Sequence, residues 1–253
     1  MTGGGNEGTI HLDDLSVGGL KASKFAFGYT KNRDFSGNQK LGGILGMSLP
    51  GHVDYVPGFK NHGWGGFIQT LKSQGVIDEA MYQMTLKGDG GKLSIGEVDD
   101  SQYEGDLETL TNTGKAYGHC GFKGTLNGEK HNFLLDSGTT GIAGSYDSVK
   151  KFLQGMSGVE LVEEDKRGSV TGKVDCDSMP SFKISVDGKF DVKLSDDVMK
   201  KYDLGNGKCL LPIYGYTNMP NSYSYNWIVG GAFMREVSVV CKFDSNEMQI
   251  ARQ

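Results

Sequence analysis

The sequence predicts an all-β fold of short strands joined by tight turns, with few short helices. Glycine is the first indication, because 40 of the 253 residues are glycine, whereas the usual frequency is about 7%. The second is that these glycines are interleaved with Val, Ile, Phe and Tyr in short alternating runs, without a collagen-like period. Tight turns often need positive backbone φ angles, which glycine adopts readily. The third is length, since 253 residues can form one large domain or two lobes around a stable core.

The charge balance and the cysteine spacing exclude several classes of function. With 26 Lys and Arg against 31 Asp and Glu, the net charge is −5, so no basic field for nucleic acid is expected. No apolar run approaches the roughly 18 residues of a membrane-spanning helix. The cysteines Cys120, Cys176, Cys209 and Cys241 have no CxxC or CxxH spacing, so a zinc site is not expected. No other metal and no cofactor are expected either. Their spacing alone leaves every disulfide pairing open.

The first third of the chain predicts a hairpin, a buried strand and a helix. Two alternating runs, Thr9 to Val17 and Leu20 to Phe27, flank a Gly-Gly pair and predict a β-hairpin. The apolar run 41–47 contains Gly-Ile-Leu-Gly and predicts a buried strand between glycines. Apolar residues at helical spacing over 67–72 predict a helix that Gly75 ends.

The remainder of the chain is predicted to be mostly strand and turn. Alternation over 81–98 around a glycine-rich turn predicts a second hairpin. One clear helix is predicted from Tyr146 to Met156, with Asp147 or Ser145 as its N-cap.

One short pattern occurs in both halves of the sequence. Trp-Ile-Val-Gly at 227–230 is similar to Gly-Ile-Leu-Gly at 43–46. Two apolar β-forming residues followed by glycine indicate a buried strand that stops where another backbone comes close. The repetition predicts two lobes of related design.

A carboxylate at the end of an apolar stretch is the strongest chemical feature. Asp136 follows the apolar run 133–135 and precedes Ser137, Gly138 and Thr139. Hydrogen bonds from the Gly138 N–H and the Thr139 hydroxyl would stabilise the ionised carboxylate, which could then exchange a proton with a water molecule. Taken alone, Asp-Ser-Gly fits a buried aspartate that caps a turn, and that alternative is the commoner one.

The residues around Asp136 resemble the active-site signature of the pepsin-like aspartic protease family, in which two hydrophobic residues precede Asp-Thr/Ser-Gly-Thr/Ser. Four further segments resemble family segments, in the family's order, and together they favour the family over the turn-capping alternative. They are Gly-Ile-Leu-Gly-Met at 43–47, the strand-like segment 91–99 with Tyr103 to Leu107 after it, Asn226 to Arg235, and Val240 to Asp244. The resemblance extends from Gly8 to Gln253.

The resemblance implies a bilobal pepsin-like fold with an incomplete first lobe. The partial N-terminal lobe would comprise 1–112, and a complete C-terminal lobe would comprise 113–253. Family members commonly have a disulfide in the second lobe where Cys176 and Cys209 lie. The other two cysteines have no role in the family and are expected to be small core residues, although both fall on predicted strands and could pair.

The resemblance also implies a role for each residue of the aspartate loop. Asp136 would be the catalytic aspartate of the second lobe, and Thr139 would hold its carboxylate. Ser137 would join the hydrogen-bonded grip between the lobes, and Gly138 would permit close backbone approach. Thr140 would contact the substrate.

The second aspartate of the family is missing from this sequence. The family hydrolyses peptides with two aspartates, one from each lobe, that share a proton across a water molecule. The nearest other string, Asp34-Phe35-Ser36-Gly37, has an extra Phe and no apolar strand before it. In the family's order Met1 to Gly8 falls at the flap, and the flap tyrosine is not there. About 75 first-lobe residues are therefore expected to be absent, which would leave apolar surface exposed at the retained Gly-Ile-Leu-Gly run.

Three functions follow as alternatives. The first is an aspartic endopeptidase, of which this chain is a truncated part that is inactive as the bare chain. The second is a pseudoprotease, a non-catalytic module that binds peptide or another ligand. The third is a homodimer in which two Asp136 residues meet, as in single-lobe viral proteases, although the remaining first-lobe residues should obstruct that pairing.

The partners and the location are expectations from the same resemblance. A polypeptide substrate and a monomeric chain are expected, without nucleic acid and without a membrane span. The family resemblance suggests an extracellular or vacuolar/lysosomal protein. The segment Met1 to Gly8 has no charged start, apolar core or cleavage site, so it predicts no signal peptide.

Overall fold

The computed structural model describes residues 8–30, 42–47, 64–88, 90–114, 118–164, 168–181, 183–219 and 225–253. Within these residues the chain forms three β-sheets and four short α-helices. The strands are β1 (Thr9–Val17), β2 (Leu20–Tyr29), β3 (Met81–Lys87), β4 (Gly90–Ile95), β5 (Glu104–Thr111), β6 (Gly121–Leu126), β7 (Glu129–Leu135), β8 (Ile142–Ser145), β9 (Glu160–Glu164), β10 (Ser169–Asp175), β11 (Lys183–Val186), β12 (Phe190–Lys193), β13 (Lys208–Tyr216), β14 (Trp227–Val229), β15 (Val237–Lys242) and β16 (Glu247–Arg252). The helices are α1 (Phe67–Ser73), α2 (Tyr146–Gln154), α3 (Asp196–Met199) and α4 (Gly231–Met234).

The largest sheet has nine strands, in the order β12-β11-β6-β7-β14-β8-β13-β10-β9. Its central strand β14 runs parallel to β7 and antiparallel to β8. Because strands cover both edges of β14, Trp227, Ile228 and Val229 are all buried, as a continuous apolar strand requires. The buried strand predicted at 227–230 is thus confirmed.

Aromatic side chains fill the core behind this sheet. The Phe122 ring stacks on Phe133 at a centroid distance of 5.1 Å and on Phe233 at 5.5 Å. All three rings are fully buried, and burial of each stabilises the fold by about 1.5–3 kcal/mol. Phe122 and Phe133 are cross-strand partners in the β6–β7 hairpin, so this core fixes the strand that leads to Asp136.

A five-stranded sheet combines distant parts of the chain, in the order β4-β3-β15-β16-β5. Strands β3 to β5 precede residue 112, whereas β15 and β16 lie near the C-terminus. Antiparallel pairing of β3 with β15 and of β5 with β16 holds the two parts together. This sheet thus contains strands from both sides of residue 112. The lobe boundary expected there stays a prediction.

Two disulfides join the four cysteines. The Cys176–Cys209 bond has an S–S distance of 2.01 Å, which confirms the bridge implied by the family resemblance. Cys120 is bonded to Cys241 of β15, so the nine-stranded and five-stranded sheets are covalently linked. Both cysteines are buried in the core, and of the two possibilities that the sequence leaves open for them, the structure has the paired one. They lie 121 residues apart in sequence and meet only because the two sheets pack together.

The first hairpin forms as predicted, with β1 and β2 pairing antiparallel in a sheet of their own. Gly18 and Gly19 occupy the turn with φ angles of +58° and +86°, which glycine adopts without steric cost. The hairpin contacts the rest of the protein through Phe25, whose ring meets Phe67 of α1 edge-on at 5.9 Å.

The Gly-Ile-Leu-Gly run at 43–46 differs from its prediction. Residues 42–47 form no strand, so the buried strand expected there is wrong. Ile44 is 73% exposed and Leu45 is 37% exposed. This agrees with the second expectation for the run, that it would leave apolar surface uncovered.

The two predicted helices are present. Helix α1 ends before Gly75, which has a φ angle of +69°. Helix α2 begins at Tyr146 and ends at Gln154, two residues before the predicted end. Ser145 is its N-cap, because the Ser145 hydroxyl accepts a hydrogen bond from the Ser148 N–H. No described helix is both long enough and apolar enough to span a membrane.

Candidate active site

Asp136 lies directly after β7, where the central strands of the nine-stranded sheet end. The Asp136 N–H donates to the Val229 carbonyl of β14 at 3.1 Å, which continues the parallel β7–β14 pairing by one residue. The buried end of β7 and the buried strand β14 therefore fix the backbone of Asp136, while its half-buried side chain still reaches solvent. A sheet positions the carboxylate more rigidly than a free loop would.

The loop itself donates hydrogen bonds to both carboxylate oxygens. The Gly138 N–H donates to Asp136 Oδ1 at 2.9 Å, and the Thr139 hydroxyl donates to Oδ2 at 2.7 Å. The Thr139 N–H also donates to the Asp136 carbonyl at 3.0 Å, closing the turn. Donors on each oxygen hold the orientation of the carboxylate.

A second backbone segment holds the loop from the β14 side. Gly230 N–H donates to the Gly141 carbonyl at 2.9 Å, and Gly231 N–H donates to the Thr139 carbonyl at 2.7 Å. Ala232 N–H donates to the Thr140 carbonyl at 2.9 Å. These three bonds to successive parts of the loop mean that its shape depends on the start of α4.

This contact leaves no space for a side chain at Gly230. A Cβ atom there would lie 1.8 Å from the Thr139 carbonyl oxygen, which is inside the van der Waals distance. The pattern of two β-forming residues followed by glycine predicts such a close approach, and the structure has it between Gly230 and the aspartate loop.

Gly141 and Tyr214 complete the packing around the loop. Gly141 is not among the site residues predicted from the sequence. A Cβ atom at Gly141 would lie 2.4 Å from the Pro212 carbonyl oxygen and 2.8 Å from the Tyr214 ring. Burial, reinforced by the neighbouring Tyr202, raises the pKa of Tyr214 well above its usual range. The Tyr214 hydroxyl therefore remains protonated. A glycine just before an apolar β-run is the sequence signal for such a contact.

The other predicted loop residues face solvent. Ser137, Gly138 and Thr140 are exposed, and Thr139 is half-buried. The grip between lobes expected of Ser137 and the substrate contact expected of Thr140 stay predictions. Their exposure leaves the side of Asp136 that carries no β14 contact open to water.

Asp136 has no second carboxylate as a hydrogen-bond partner within the described residues. Its carboxylate accepts hydrogen bonds only from its own loop there. The Asp34 string and Met1 to Glu7, at the position expected for the flap, lie outside the described residues. Among the described residues, this arrangement provides one carboxylate that can accept a proton from water, and no second acid is hydrogen-bonded to it.

One described cluster has the composition of a metal site. Cys176, Asp203 and Cys209 have ligand atoms within 4.8 Å of one another. Both sulfurs belong to the Cys176–Cys209 disulfide, however, and a metal-binding cysteine must be a thiolate. The cluster is therefore the Cys176–Cys209 disulfide with the Asp203 carboxylate beside it.

Two known proteins are similar in sequence to this chain. A protein of Malassezia globosa named "Probable inactive secreted aspartyl protease" is 98% identical over 253 residues, which is 100% of this chain and 65% of that protein. "Secreted aspartyl protease 1" of the same organism is 31% identical over 246 residues, 96% of this chain and 58% of that protein. This chain thus spans less than two thirds of the length of either relative.

A solved structure and a family model agree with these relatives. The crystal structure of aspartic proteinase from Irpex lacteus superimposes with a TM-score of 0.79, covering 98% of this chain and 78% of that chain at 17% identity. It shows that the fold is pepsin-like. The model of the family described as "Eukaryotic aspartyl protease" matches residues 2–253. The chain therefore belongs to the eukaryotic aspartyl protease family.

Proposed function

We propose that this chain carries one half of an aspartic endopeptidase active site and does not hydrolyse peptides by itself. The observation that supports this most directly is the set of hydrogen bonds on Asp136. Within the described residues all of them come from Gly138 and Thr139, and none involves another acid.

The chemistry of peptide hydrolysis explains why one carboxylate is not enough. Attack of water on an amide needs a base that takes the water proton and an acid that donates to the carbonyl oxygen. Two adjacent carboxylates divide these tasks because their like charges prevent both from ionising at once. Asp136 can serve as the base, but no second carboxyl group is held near it among the described residues.

The substrate class and the location belong to the same proposal. Family membership supports a polypeptide substrate, bound where the exposed side of the Asp136 loop meets solvent. The word "secreted" in the names of both Malassezia relatives supports an extracellular location. A vacuolar or lysosomal location has only the family resemblance in its favour. We also propose that the chain is monomeric.

A turnover assay at acid pH tests the loss of hydrolysis. The 253-residue chain and its Asp136→Asn variant are incubated with a fluorogenic peptide library, with and without pepstatin. We expect equal background cleavage by the two proteins and no effect of pepstatin. Pepstatin-sensitive cleavage that Asp136→Asn abolishes would contradict the proposal. Sedimentation of an active sample would then show whether two chains pair their Asp136 residues.

A second candidate function is a pseudoprotease that binds polypeptides without cleaving them. The observation that favours it is the name of the 98% identical relative, which includes the word "inactive". Saturable binding of uncleaved peptide, displaced by pepstatin and weakened by Asp136→Asn, would favour this candidate. Absence of any peptide binding by the folded chain would eliminate it.

A further inference from the structure

A hollow lies on the nine-stranded sheet, away from the Asp136 loop. It has a volume of about 480 Å³ and is lined by β6, β7, β11 and the residue before β14. Among the lining residues that the structure describes, Asp187 is the only acid, whereas Lys123 and Lys130 contribute two ammonium groups. The hollow is thus positively charged in a chain whose net charge is −5.

Strand register brings the two lysines together. Lys123 pairs with Asn132, and Thr125 pairs with Lys130, across the β6–β7 hairpin. Side chains two residues apart on a strand share a face, so these four residues line one face. Ser185 of β11 pairs with Thr125 and extends the polar face to a third strand.

Neither lysine has a partner within the described residues. No ion pair or hydrogen bond involves the side chain of Lys123 or Lys130 there. By contrast, Lys183 of β11 pairs with Asp191 at 2.5 Å. Two unpaired ammonium groups beside one hollow repel each other, and an anion between them would remove that repulsion.

Two hydrogen bonds with Asn132 hold Asn226 at the wall of the hollow. The Asn226 N–H donates to the Asn132 carbonyl at 2.9 Å, and Asn226 Oδ1 accepts from the Asn132 N–H at 3.3 Å. With its oxygen used, the side chain has its NH₂ group left to donate. Such positioning lowers the entropy that ligand binding would cost.

The turn after β11 forms a wall of the hollow and is fixed in place. Asp187 N–H donates to the Lys123 carbonyl at 2.8 Å. Asp187 and Gly188 have φ angles of +48° and +71°, as in a tight hairpin turn. This bond attaches the turn to the strand that carries one of the two lysines.

We propose that this hollow binds an oxyanion group, a phosphate, sulfate or carboxylate, between Lys123 and Lys130 with the Asn226 amide as a further donor. Charge-assisted hydrogen bonds to such a group are stronger than neutral ones. The site is separate from Asp136, because Lys130 of β7 lies six residues before it in the sequence, roughly 20 Å away at about 3.3 Å per residue. It does not depend on the proposed function.

An NMR titration of the full 253-residue chain with inorganic phosphate, at constant ionic strength, tests the site. We expect saturable shifts of the backbone amides of Lys123, Asn132 and Asp187. Lys123→Gln and Lys130→Gln should each weaken binding roughly tenfold. Lys183→Gln is the matched control, since it removes a paired lysine from the same sheet, and it should leave phosphate affinity unchanged. Amide spectra of the unliganded variants show whether each is folded.

A second arm identifies the source of the oxyanion. A short peptide with two glutamates is compared with the same peptide carrying glutamines. Binding of phosphate alone assigns the site to free anions, and binding of the glutamate peptide assigns it to acidic polypeptides. The proposal is overturned if no probe gives saturable shifts, or if Lys123→Gln and Lys130→Gln bind as the parent does. Equal weakening by Lys183→Gln would also overturn it, because it would indicate general electrostatic attraction.

Discussion

The two Gly-containing repeats of this chain have opposite environments. Ile228, in the Trp-Ile-Val-Gly run, is 8% exposed, whereas Ile44, in the Gly-Ile-Leu-Gly run, is 73% exposed. The first run lies between β7 and β8 as strand β14, while residues 42–47 form no strand. The same local pattern is therefore buried only where neighbouring strands are present to cover it.

The two regions also differ in the hydrogen bonds that their residues make. Around β14, hydrogen bonds from Gly230, Gly231 and Ala232 shape the loop that carries Asp136. No comparable set of contacts occurs around 42–47 within the described residues. Within the described residues, the contacts that shape the Asp136 loop therefore lie on the C-terminal side. The following variants test how much each region contributes to stability.

The largest effect is expected for the disulfide that links the two large sheets. Cys120→Ser with Cys241→Ser opens a loop of 121 residues, and the chain-entropy account gives a loss of about 5 kcal/mol. Cys176→Ser with Cys209→Ser opens a loop of 33 residues and should cost about 4 kcal/mol on the same account. Denaturant unfolding of both variants measures the difference. A smaller loss for the Cys120–Cys241 variant would mean that this bond adds little to the sheet packing.

The next effect is expected at the end of β14. Gly230→Ala places a Cβ atom 1.8 Å from the Thr139 carbonyl oxygen, so it should cost about 3 kcal/mol or more. Two alanine variants are controls. The new Cβ atom would be 3.4 Å from its nearest neighbour at Gly231 and would meet nothing within 4 Å at Gly43. If all three variants unfold at the same denaturant concentration, close packing at Gly230 does not determine the loop.

A matched pair of isoleucines tests the difference in burial between the two runs. Ile228→Ala removes a buried side chain and should lower the free energy of unfolding by about 2–4 kcal/mol. Ile44→Ala should change it by less than about 0.5 kcal/mol, because its side chain is mostly exposed. Equal losses would show that Ile44 is buried in solution.

The smallest effect concerns Tyr82 in the sheet that joins the two parts of the chain. Burial raises the pKa of Tyr82 to about 12, and its ring meets Phe243 at 5.9 Å. Unfolded tyrosine ionises near pH 10, so the folded state keeps the proton that the unfolded state loses. This contribution is complete below about pH 10 and is lost as pH rises towards about 12.

Tyr82→Phe removes that pH dependence. Between about pH 9 and about pH 12 the parent should lose roughly 2 kcal/mol more than Tyr82→Phe, as measured by urea unfolding. Parallel pH profiles for the two proteins would be inconsistent with a buried Tyr82 hydroxyl.

Local patterns in the sequence were enough to predict much of the C-terminal side. The apolar run before Asp136 and the β14 run are continuous apolar stretches, and the α2 helix has a capping residue, Ser145. Gly138 and Thr139 were predicted as donors because a backbone N–H and a hydroxyl group follow Asp136 directly in the sequence. The glycine after β14 was predicted from the same kind of local signal.

The failures concern contacts between residues that are distant in sequence. The Cys120–Cys241 bond depends on the packing of two sheets, which no local pattern encodes. The Gly-Ile-Leu-Gly run was predicted to be buried from its composition, yet burial depends on partner strands that are absent among the described residues. The contact of Gly141 with Tyr214 likewise joins segments far apart in sequence.

The proposal that Asp136 is one half of an active site is tested most directly by supplying a second carboxylate. A first-lobe segment with the family's Asp-Thr-Gly loop is fused before this chain, and peptide cleavage at acid pH is measured with and without pepstatin. We predict pepstatin-sensitive cleavage that disappears when either aspartate is changed to Asn. Cleavage by the unfused chain that needs Asp136, or cleavage by the fusion that survives Asp136→Asn, would contradict the account.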